Sequence, residues 1–282
     1  MRLIKPSYKI IEQEPGINGV YKMIEYAGRV CYKSEDKITE DSAKPFVDRM
    51  VKSGHGAMLE HGTVYLKITY KNTDFTTLCM FYGKNKYSVL NHSEDNKIYY
   101  ITTNYRVLVE NNHLSDLKYL CEPSEFHERR VTVHFVCDRG VSHEFVRHRV
   151  MSFAQESTRY CNYSKDKFGN ELTFIIPNWV NTHCPNKEQE GPSVPDMEWS
   201  SAMLDAEASY KILLKMGWTP QQARAVLPNS LKTELVVTGF TSDWNHFFDL
   251  RARGTTGAPH PQVKELAEPL MKEFIARKYI NS

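Results

Sequence analysis

Residues 147 to 160 read Arg-His-Arg-Val-Met-Ser-Phe-Ala-Gln-Glu-Ser-Thr-Arg-Tyr. Guanidinium, imidazole, hydroxyl, carboxamide and carboxylate groups are all crowded into this one run. Arg147, Arg149 and Arg159 offer planar forks of donors that match phosphate oxygens. Ser157, Thr158 and the local backbone amides can complete an anion nest. Together these groups can surround a polyanion and a planar heterocycle. A basic run taken alone is most often a solvated helix face, so the order of the residues carries more weight than their charge.

Two other clusters invite chemistry. His55, Glu60 and His61 precede a strand and suit a metal site, a catalytic pair or turn chemistry; a metal site normally needs three or four convergent ligands. His143-Glu144 with His148 is not the metalloprotease motif, whose histidines lie four apart on one helix face, whereas these lie five apart and diverge. Cys31, Cys79, Cys121, Cys137, Cys161 and Cys184 are scattered without a CxxC pair, and Met1 to Pro6 turns polar too soon for a secretory leader. Free thiols in the cytoplasm are therefore expected. No apolar run approaches the roughly 20 residues of a membrane span. With a net charge of +2 and a pI near 8.1, the chain lacks the broad basic surface of a nucleic-acid binder, so its anionic partner should be small.

The order of residues in the 147–160 run resembles the signature of the flavin-dependent thymidylate synthases, Arg-His-Arg-x-x-Ser-x-Asn-Glu-x-Ser-x-Arg. Arg147, His148, Arg149, Ser152, Ser157 and Arg159 match six of its eight fixed positions, with Ala154 and Gln155 in place of Asn and Glu. Gln155 keeps an acceptor and adds donors, and Glu156 supplies a carboxylate beside it. The resemblance extends over residues 17–70 and 131–278. His55 and Glu60 match a family segment whose histidine lies near the folate or pyrimidine-like ligand above the flavin and whose glutamate lies by the flavin; Ala57 replaces a flavin-contacting threonine of some relatives. Glu144 falls where members often hold a nucleotide-binding glutamine. Ala223-Arg224 with Leu227-Pro228 looks like the element whose arginine reaches the nucleotide phosphate. Asn245 to Arg251 resembles the block whose final arginine faces the uracil ring, and His260 matches a histidine near the flavin. Phe240 and Ser242 stand where some relatives set Asn and Arg against the flavin.

This resemblance implies reductive methylation of dUMP to dTMP, with 5,10-methylenetetrahydrofolate as carbon donor and FAD and NADPH as hydride source, in a homotetramer with shared sites. It places Arg251 and Ser157 at the catalytic centre, Arg251 stabilising charge on a uracil carbonyl and Ser157 binding rather than attacking. Substrate contacts would come from Glu144, Arg147, Gln155, Glu156, Ser157, Thr158, Arg159, Arg224 and Arg251. Cofactor contacts would come from His55, Glu60, Arg147, His148, Arg149, Val150, His246 and His260. No metal, nucleic acid or membrane is implied. Cys161 and Cys184 lie in no recognisable nucleophile motif and read as ordinary thiols. Two rivals stay open: a metal-dependent hydrolase built on His55, His61, His143 and His148, and a non-catalytic nucleotide-binding module using the same arginines.

The elements that must position these groups follow from periodicity. Apolar residues at helical spacing predict helices over 17–30, after Thr39 with Ala43, Phe46, Val47 and Val51 inward, and from about Met197 to Met216 with Met203, Leu204, Ala208, Ile212 and Leu213 inward. Asp138 starts a short helix that delivers Arg147, Thr219-Pro220 starts another, Ser242-Asp243 can cap a helix carrying Trp244 to Arg251, and His260-Pro261 opens the last. Strands are predicted at Thr63–Tyr70, Tyr87–Leu90, Ile98–Thr102, Tyr105–Val109, Val131–Val136, within 171–177 and at Leu235–Phe240. Polar turns are expected at 94–96, 111–112 and 165–170, and a loop over 181–197. The resulting fold class is α+β, a single domain over 1–282 with a central antiparallel-rich sheet flanked by helices and a strand-rich insertion at 71–130.

Overall fold

The computed structural model describes residues 1–71, 75–93, 95, 97–163, 165, 169–182 and 191–281. The chain opens with two short strands not predicted from composition, β1 (Arg2–Ile4) and β2 (Ser7–Ile11). Helix α1 (Gly16–Tyr32) follows, then α2 (Ala43–Lys52), the single turn α3 (Gly56–Leu59) and β3 (Thr63–Thr69). Gly54, with φ of +69°, reverses the chain after α2, the left-handed position that glycine fills without strain. Ala43, Phe46 and Val47 face inward as predicted, whereas Val51 is exposed.

The 71–130 stretch holds α4 (Phe75–Leu78), β4 (Val89–Ser93), β5 (Ile98–Asn104) and α5 (Tyr105–Glu110). Tyr105–Val109 is thus a helix, not the strand that its β-branched and aromatic residues predict. The Asn104 side chain accepts from the Val107 amide at 3.1 Å, and this N-cap outweighs the propensity of the residues behind it. The predicted turn at 94–96 lies outside the described residues except for Asp95.

Strand β6 (Arg130–Asp138) leads through α6 (Arg139–Phe145) to β7 (Ser152–Gln155) and β8 (Thr173–Ile175). After Ser193, whose hydroxyl and Asp196 form a reciprocal cap, comes α7 (Val194–Lys215). The chain closes with α8 (Pro220–Ala223), β9 (Lys232–Phe240), α9 (Thr241–Phe248) and α10 (Pro261–Ala276). The loop predicted over 181–197 therefore ends at Ser193; its residues 183–190, Cys184 among them, lie outside the described residues, as do Ser164 and, within the predicted polar turn at 165–170, residues 166–168.

Among the described residues three sheets result: an antiparallel one in the order β2-β6-β9-β7, an antiparallel one in the order β3-β5-β4, and the parallel pair β1-β8. The class is α+β, with the antiparallel sheet and flanking helices predicted. Its spine is the nine-residue pairing of β6 with β9, from Arg130 opposite Phe240 to Asp138 opposite Lys232. Phe135 of β6 packs with Phe145 of α6, and with Trp244 and Phe247 of α9, at ring separations of 4.9, 6.3 and 6.4 Å. Phe248 and Phe274 extend this core beneath α10. Trp244 Nε1 satisfies itself on the Val131 carbonyl at 3.0 Å, as a buried indole must.

Asp138 ties three elements together, because its carboxylate accepts from the Val141 amide at 2.6 Å and from the Gln262 side chain at 2.6 Å. Asp138→Ala removes the cap of α6 and strands a buried amide, so it should lower stability by about 2 kcal/mol or more. Urea unfolding should show this as a lower midpoint at unchanged slope; a midpoint within error of the parent would contradict the capping account.

Candidate functional site

The signature run does not lie on a helix. Helix α6 ends at Phe145, Arg147 to Val150 occupy a turn, Ser152–Gln155 form edge strand β7, and Ser157 to Tyr160 form a second turn. Gly239 on β9 makes the first turn possible: a Cβ there would come within 2.9 Å of Met151 Cγ. Met151 is buried in the aromatic core and pins the run from below. Arg147, Arg149 and Val150 are left exposed on either side of buried His148.

Across from this turn, the chain beyond α9 brings up Arg251. Its Nε donates to His148 Nε2 at 3.2 Å, its Nη2 donates to the Glu144 carbonyl at 2.9 Å, and its Nη1 pairs with the Glu144 carboxylate. Burial and the neighbouring Arg251 and His246 push the His148 imidazole down to about 4, so His148 is neutral and accepts at Nε2 with its proton on Nδ1. His246 and Phe247 pack on its ring at 6.0 and 4.9 Å. Arg147, His148, Arg149, Val150, His246 and Arg251, with Asp243 and Leu250, line a cleft of about 320 Å³. The Arg147 and Arg149 guanidinium groups make no hydrogen bond or ion pair among the described residues. The cleft thus combines free cations, a flat neutral imidazole and an apolar wall.

A second group forms at the other end of the run. Arg224 Nη1 donates to Thr158 Oγ1 at 3.1 Å, Arg159 Nε donates to Gln221 Oε1 at 3.2 Å, and the Arg159 amide approaches Ser157 Oγ at 3.4 Å. Ser157 is fixed by its own amide on the Cys31 carbonyl at 3.0 Å. Tyr32 bridges this group to His55, contacting the Tyr160 ring at 5.7 Å and His55 Nδ1 at 3.4 Å. The exposed guanidinium groups of Arg159, in this turn, and of Arg224, just after α8, thus stand beside the Ser157 hydroxyl, an arrangement chemically suited to an anion.

Other predicted site residues are placed elsewhere. Gln155 turns inward to Ser142 Oγ at 2.8 Å and Thr233 Oγ1 at 3.3 Å. Glu156 is buried and held by Tyr163 and Lys232, each at 2.9 Å. Glu60 pairs with Arg106 at 2.6 Å, and exposed His260 meets Trp179 at 5.8 Å. Within one chain, then, Glu144, Arg147, His148, Arg149, Val150, His246 and Arg251 gather, and Ser157, Thr158, Arg159 and Arg224 gather. Among the described residues no hydrogen bond or ion pair joins the two groups.

Several charged residues were not foreseen. Lys33, His134, Lys232 and Glu234 form a half-buried network with Glu156. Burial alone would raise the Glu234 carboxyl, but His134, Lys232 and Lys33 outweigh it and hold it well below the usual carboxylate range. The signal was the alternation of Lys232 and Glu234 at the start of β9, which puts both on one face. Arg130 is a second case: its forks reach the Glu60 carbonyl, Thr63 and Ser152 at 3.1 to 3.3 Å, and burial lowers its guanidinium to about 10.

A family model described as thymidylate synthase complementing protein matches residues 72–277. The chain belongs to that family. The match runs through the 71–130 stretch, where the signature resemblance was weakest. A flavin-dependent thymidylate synthase of Thermococcus kodakarensis is 34% identical over 138 residues, covering 49% of this chain and 51% of the relative. One from Pyrococcus abyssi is 30% identical over 142 residues, covering 50% and 52%. The chain therefore spans about half the length of these relatives. One from Corynebacterium aurimucosum is 24% identical over 269 residues, covering 93% of this chain and 78% of the relative. Among solved structures, a UMP/dUMP methylase from Streptomyces cacaoi bound with 5-Br dUMP aligns at a TM-score of 0.45 and 18% identity, covering 98% and 93%.

The neutral state of His148 is measurable. Its value near 4 lies below the ordinary 6.5, so in falling pH the unfolded chain takes up this proton first. This family member should lose stability as pH drops below about 6.5, with the loss from this group complete below about 4. NMR titration of the imidazoles should show His148 neutral at pH 5.5, and a midpoint at 6 or above would contradict the burial account.

Proposed function

We propose that this chain is a flavin-dependent thymidylate synthase, converting dUMP to dTMP with 5,10-methylenetetrahydrofolate as the one-carbon donor and NADPH as reductant of a bound FAD. The carrying observation is that Arg251 stands oriented by His148 and Glu144 in the same cleft as the free guanidinium groups of Arg147 and Arg149. The names of the Thermococcus, Pyrococcus and Corynebacterium relatives support the same reading. The cleft fits a flavin by its chemistry: Val150 and Leu250 offer apolar surface to a ring system, and Arg147 and Arg149 offer forks to a pyrophosphate. His148 and His246 complete that cofactor side. A bound flavin supplies the hydride.

The protein's own part is binding, orientation and electrostatics. Arg251 donates to a uracil carbonyl as negative charge develops there. Arg224, Arg159, Thr158 and Ser157 take the nucleotide phosphate. Ser157 is a binding group, since its hydroxyl has no imidazole or carboxylate partner among the described residues to activate it. Gln155 and Glu156 act by holding the phosphate turn in place, through their bonds to Ser142, Lys232 and Tyr163.

The phosphate group of residues and the ring group of residues meet, in this reading, across subunits of a homotetramer, with His55, Glu60 and His260 closing a neighbour's pocket. Helix α7 supports assembly. Leu204, Ala208 and Ile212, predicted to face the core, are exposed, and with Met216 they make an apolar stripe at four-residue spacing; Leu204, Ile212 and Met216 are 51, 55 and 74% exposed. A stripe of this kind is a common mark of a subunit contact. Residues 1–282 form one domain in this reading, with 71–130 inserted after β3 and completing its sheet. The free thiols of Cys31, Cys79, Cys121, Cys137 and Cys161 suit a cytoplasmic enzyme. No helix among the described residues is long and apolar enough to cross a membrane. Among the described residues, His, Cys, Asp and Glu side chains form no group of three placed to hold a metal ion.

The purified protein should be yellow and should form dTMP from dUMP, methylenetetrahydrofolate and NADPH. Arg251→Ala should keep its flavin absorbance yet lose about a hundredfold or more in dTMP formation, equivalent to about 3 kcal/mol of transition-state stabilisation. Near-parental turnover would remove Arg251 from the mechanism. Ser157→Ala should remain measurably active with a raised KM for dUMP; a covalent uracil adduct on Ser157 in the parent would overturn its assignment as a binding group.

A further inference from the structure

Helix α1 ends on Lys33 with φ of +48° and ψ of +56°, the left-handed conformation that strains a Cβ and that glycine usually fills. The Lys33 amide bonds to the Val30 carbonyl at 3.3 Å and the Ser34 amide to the Arg29 carbonyl at 3.0 Å, so the cap is a backbone motif that asks nothing of the side chain. The same motif closes α10 at Lys278, with φ of +58°. There the side chain is exposed and makes no hydrogen bond or ion pair among the described residues.

At Lys33 the side chain is engaged. Its ammonium is 16% exposed and lies 2.7 Å from Glu35 and 2.9 Å from Glu234. Burial alone would lower its pKa, but Glu234 and Glu35 outweigh burial and raise it above the usual lysine range. Glu234 also takes Lys232, which reaches the buried Glu156 at 2.9 Å. On the other side of Glu234, His134 Nε2 stands 3.1 Å away, with Tyr26 held at 2.7 Å from His134 Nδ1. Two backbone bonds connect this network to the turn that begins at Ser157. The Glu156 amide donates to the Glu234 carbonyl at 2.8 Å, and the Ser157 amide donates to the Cys31 carbonyl at 3.0 Å.

We propose that Lys33 is a positioning residue for nucleotide binding: by tying the end of α1 to Glu234 of β9 it fixes the two carbonyls from which the Ser157–Arg159 turn hangs, and so sets Ser157, Thr158 and Arg159 to receive a phosphate. This rests on the phosphate role proposed above for that turn. A strained backbone kept at a position where glycine would relax it marks a side chain in use. Position and charge act differently here. Long-range attraction alone makes loss of the Lys33 cation weaken phosphate binding and loss of the Glu234 anion strengthen it, whereas loss of the tie weakens it in both cases.

The test measures affinity of the flavin-loaded protein for dUMP and for deoxyuridine, which lacks the phosphate, in the parent, Lys33→Gly, Lys33→Arg, Glu234→Gln and Lys278→Gly. Lys33→Gly and Glu234→Gln should each lose about tenfold of the preference for dUMP over deoxyuridine, the size of one charge-assisted hydrogen bond. Lys33→Gly should keep near-parental kcat at saturating dUMP, because the ammonium touches no reacting atom. Lys33→Arg and Lys278→Gly should keep the preference. An unchanged preference in Lys33→Gly, a rise in Glu234→Gln, or equal weakening of dUMP and deoxyuridine would overturn the proposal. Should Glu234→Gln fail to fold, Lys33→Gly set against Lys278→Gly decides, since both make the same change at the same backbone motif. A parental preference that survives Lys33→Gly sinks this inference alone; a parent that binds dUMP no better than deoxyuridine sinks the phosphate assignment beneath it.

Discussion

Helices α6 and α9 spring from opposite ends of the β6–β9 strand pair and are drawn over the same face by their aromatic residues. Phe145 and Phe247 meet at 5.1 Å above Phe135, and this contact fixes where Glu144 and Arg251 can stand. A half-exposed ion pair contributes little to stability by itself, while each buried aromatic ring contributes several times more, about 3–5 kcal/mol on truncation. The charged constellation is thus a passenger on the apolar core. Its geometry is as rigid as the packing beneath it, which is what the role proposed for Arg251 requires.

The same frame explains the division of the signature run. Its first half must bend away from α6 so that Met151 can drop into the core against Gly239, which throws Arg147 and Arg149 outward. Its middle pairs with β9, where alternation sends Ala154 inward against Val236 and its neighbours. Its last part turns again at Ser157, anchored to Cys31, and presents Arg159 beside Arg224. One continuous sequence therefore contributes exposed arginines to two separate surfaces, with strand β7 between them as spacer.

Much of this was legible beforehand because local and global signals agreed. Helices α1, α2, α6, α9 and α10 carry apolar spacing that matches their buried faces, and strands β3, β5, β6 and β9 carry β-branched runs. Where local and tertiary signals diverged, the sequence misled. Tyr105 to Val109 has strand composition, yet the Asn104 cap starts a helix there. Leu204, Ala208 and Ile212 of α7 have core composition yet are exposed, because periodicity reports an apolar face and not what covers it. The short strands β1 and β2 are defined by their partners β8 and β6 rather than by their own residues. At the candidate site, the signature points to Arg147, His148, Arg149, Ser157 and Arg159, but only the folded chain shows that Glu144 is bound to Arg251 and that Glu156 is buried in a lysine network.

The central claim is that guanidinium groups from remote parts of the chain converge on a single nucleotide. The most direct measurement is the crystal structure of the flavin-loaded protein with dUMP. The account predicts one nucleotide whose uracil edge lies within hydrogen-bond distance of Arg251 and whose phosphate lies within reach of Arg224 and Ser157, from the same or a neighbouring subunit. A nucleotide bound away from Arg251, or an assembly in which Arg251 and Arg224 face unrelated surfaces, would contradict it.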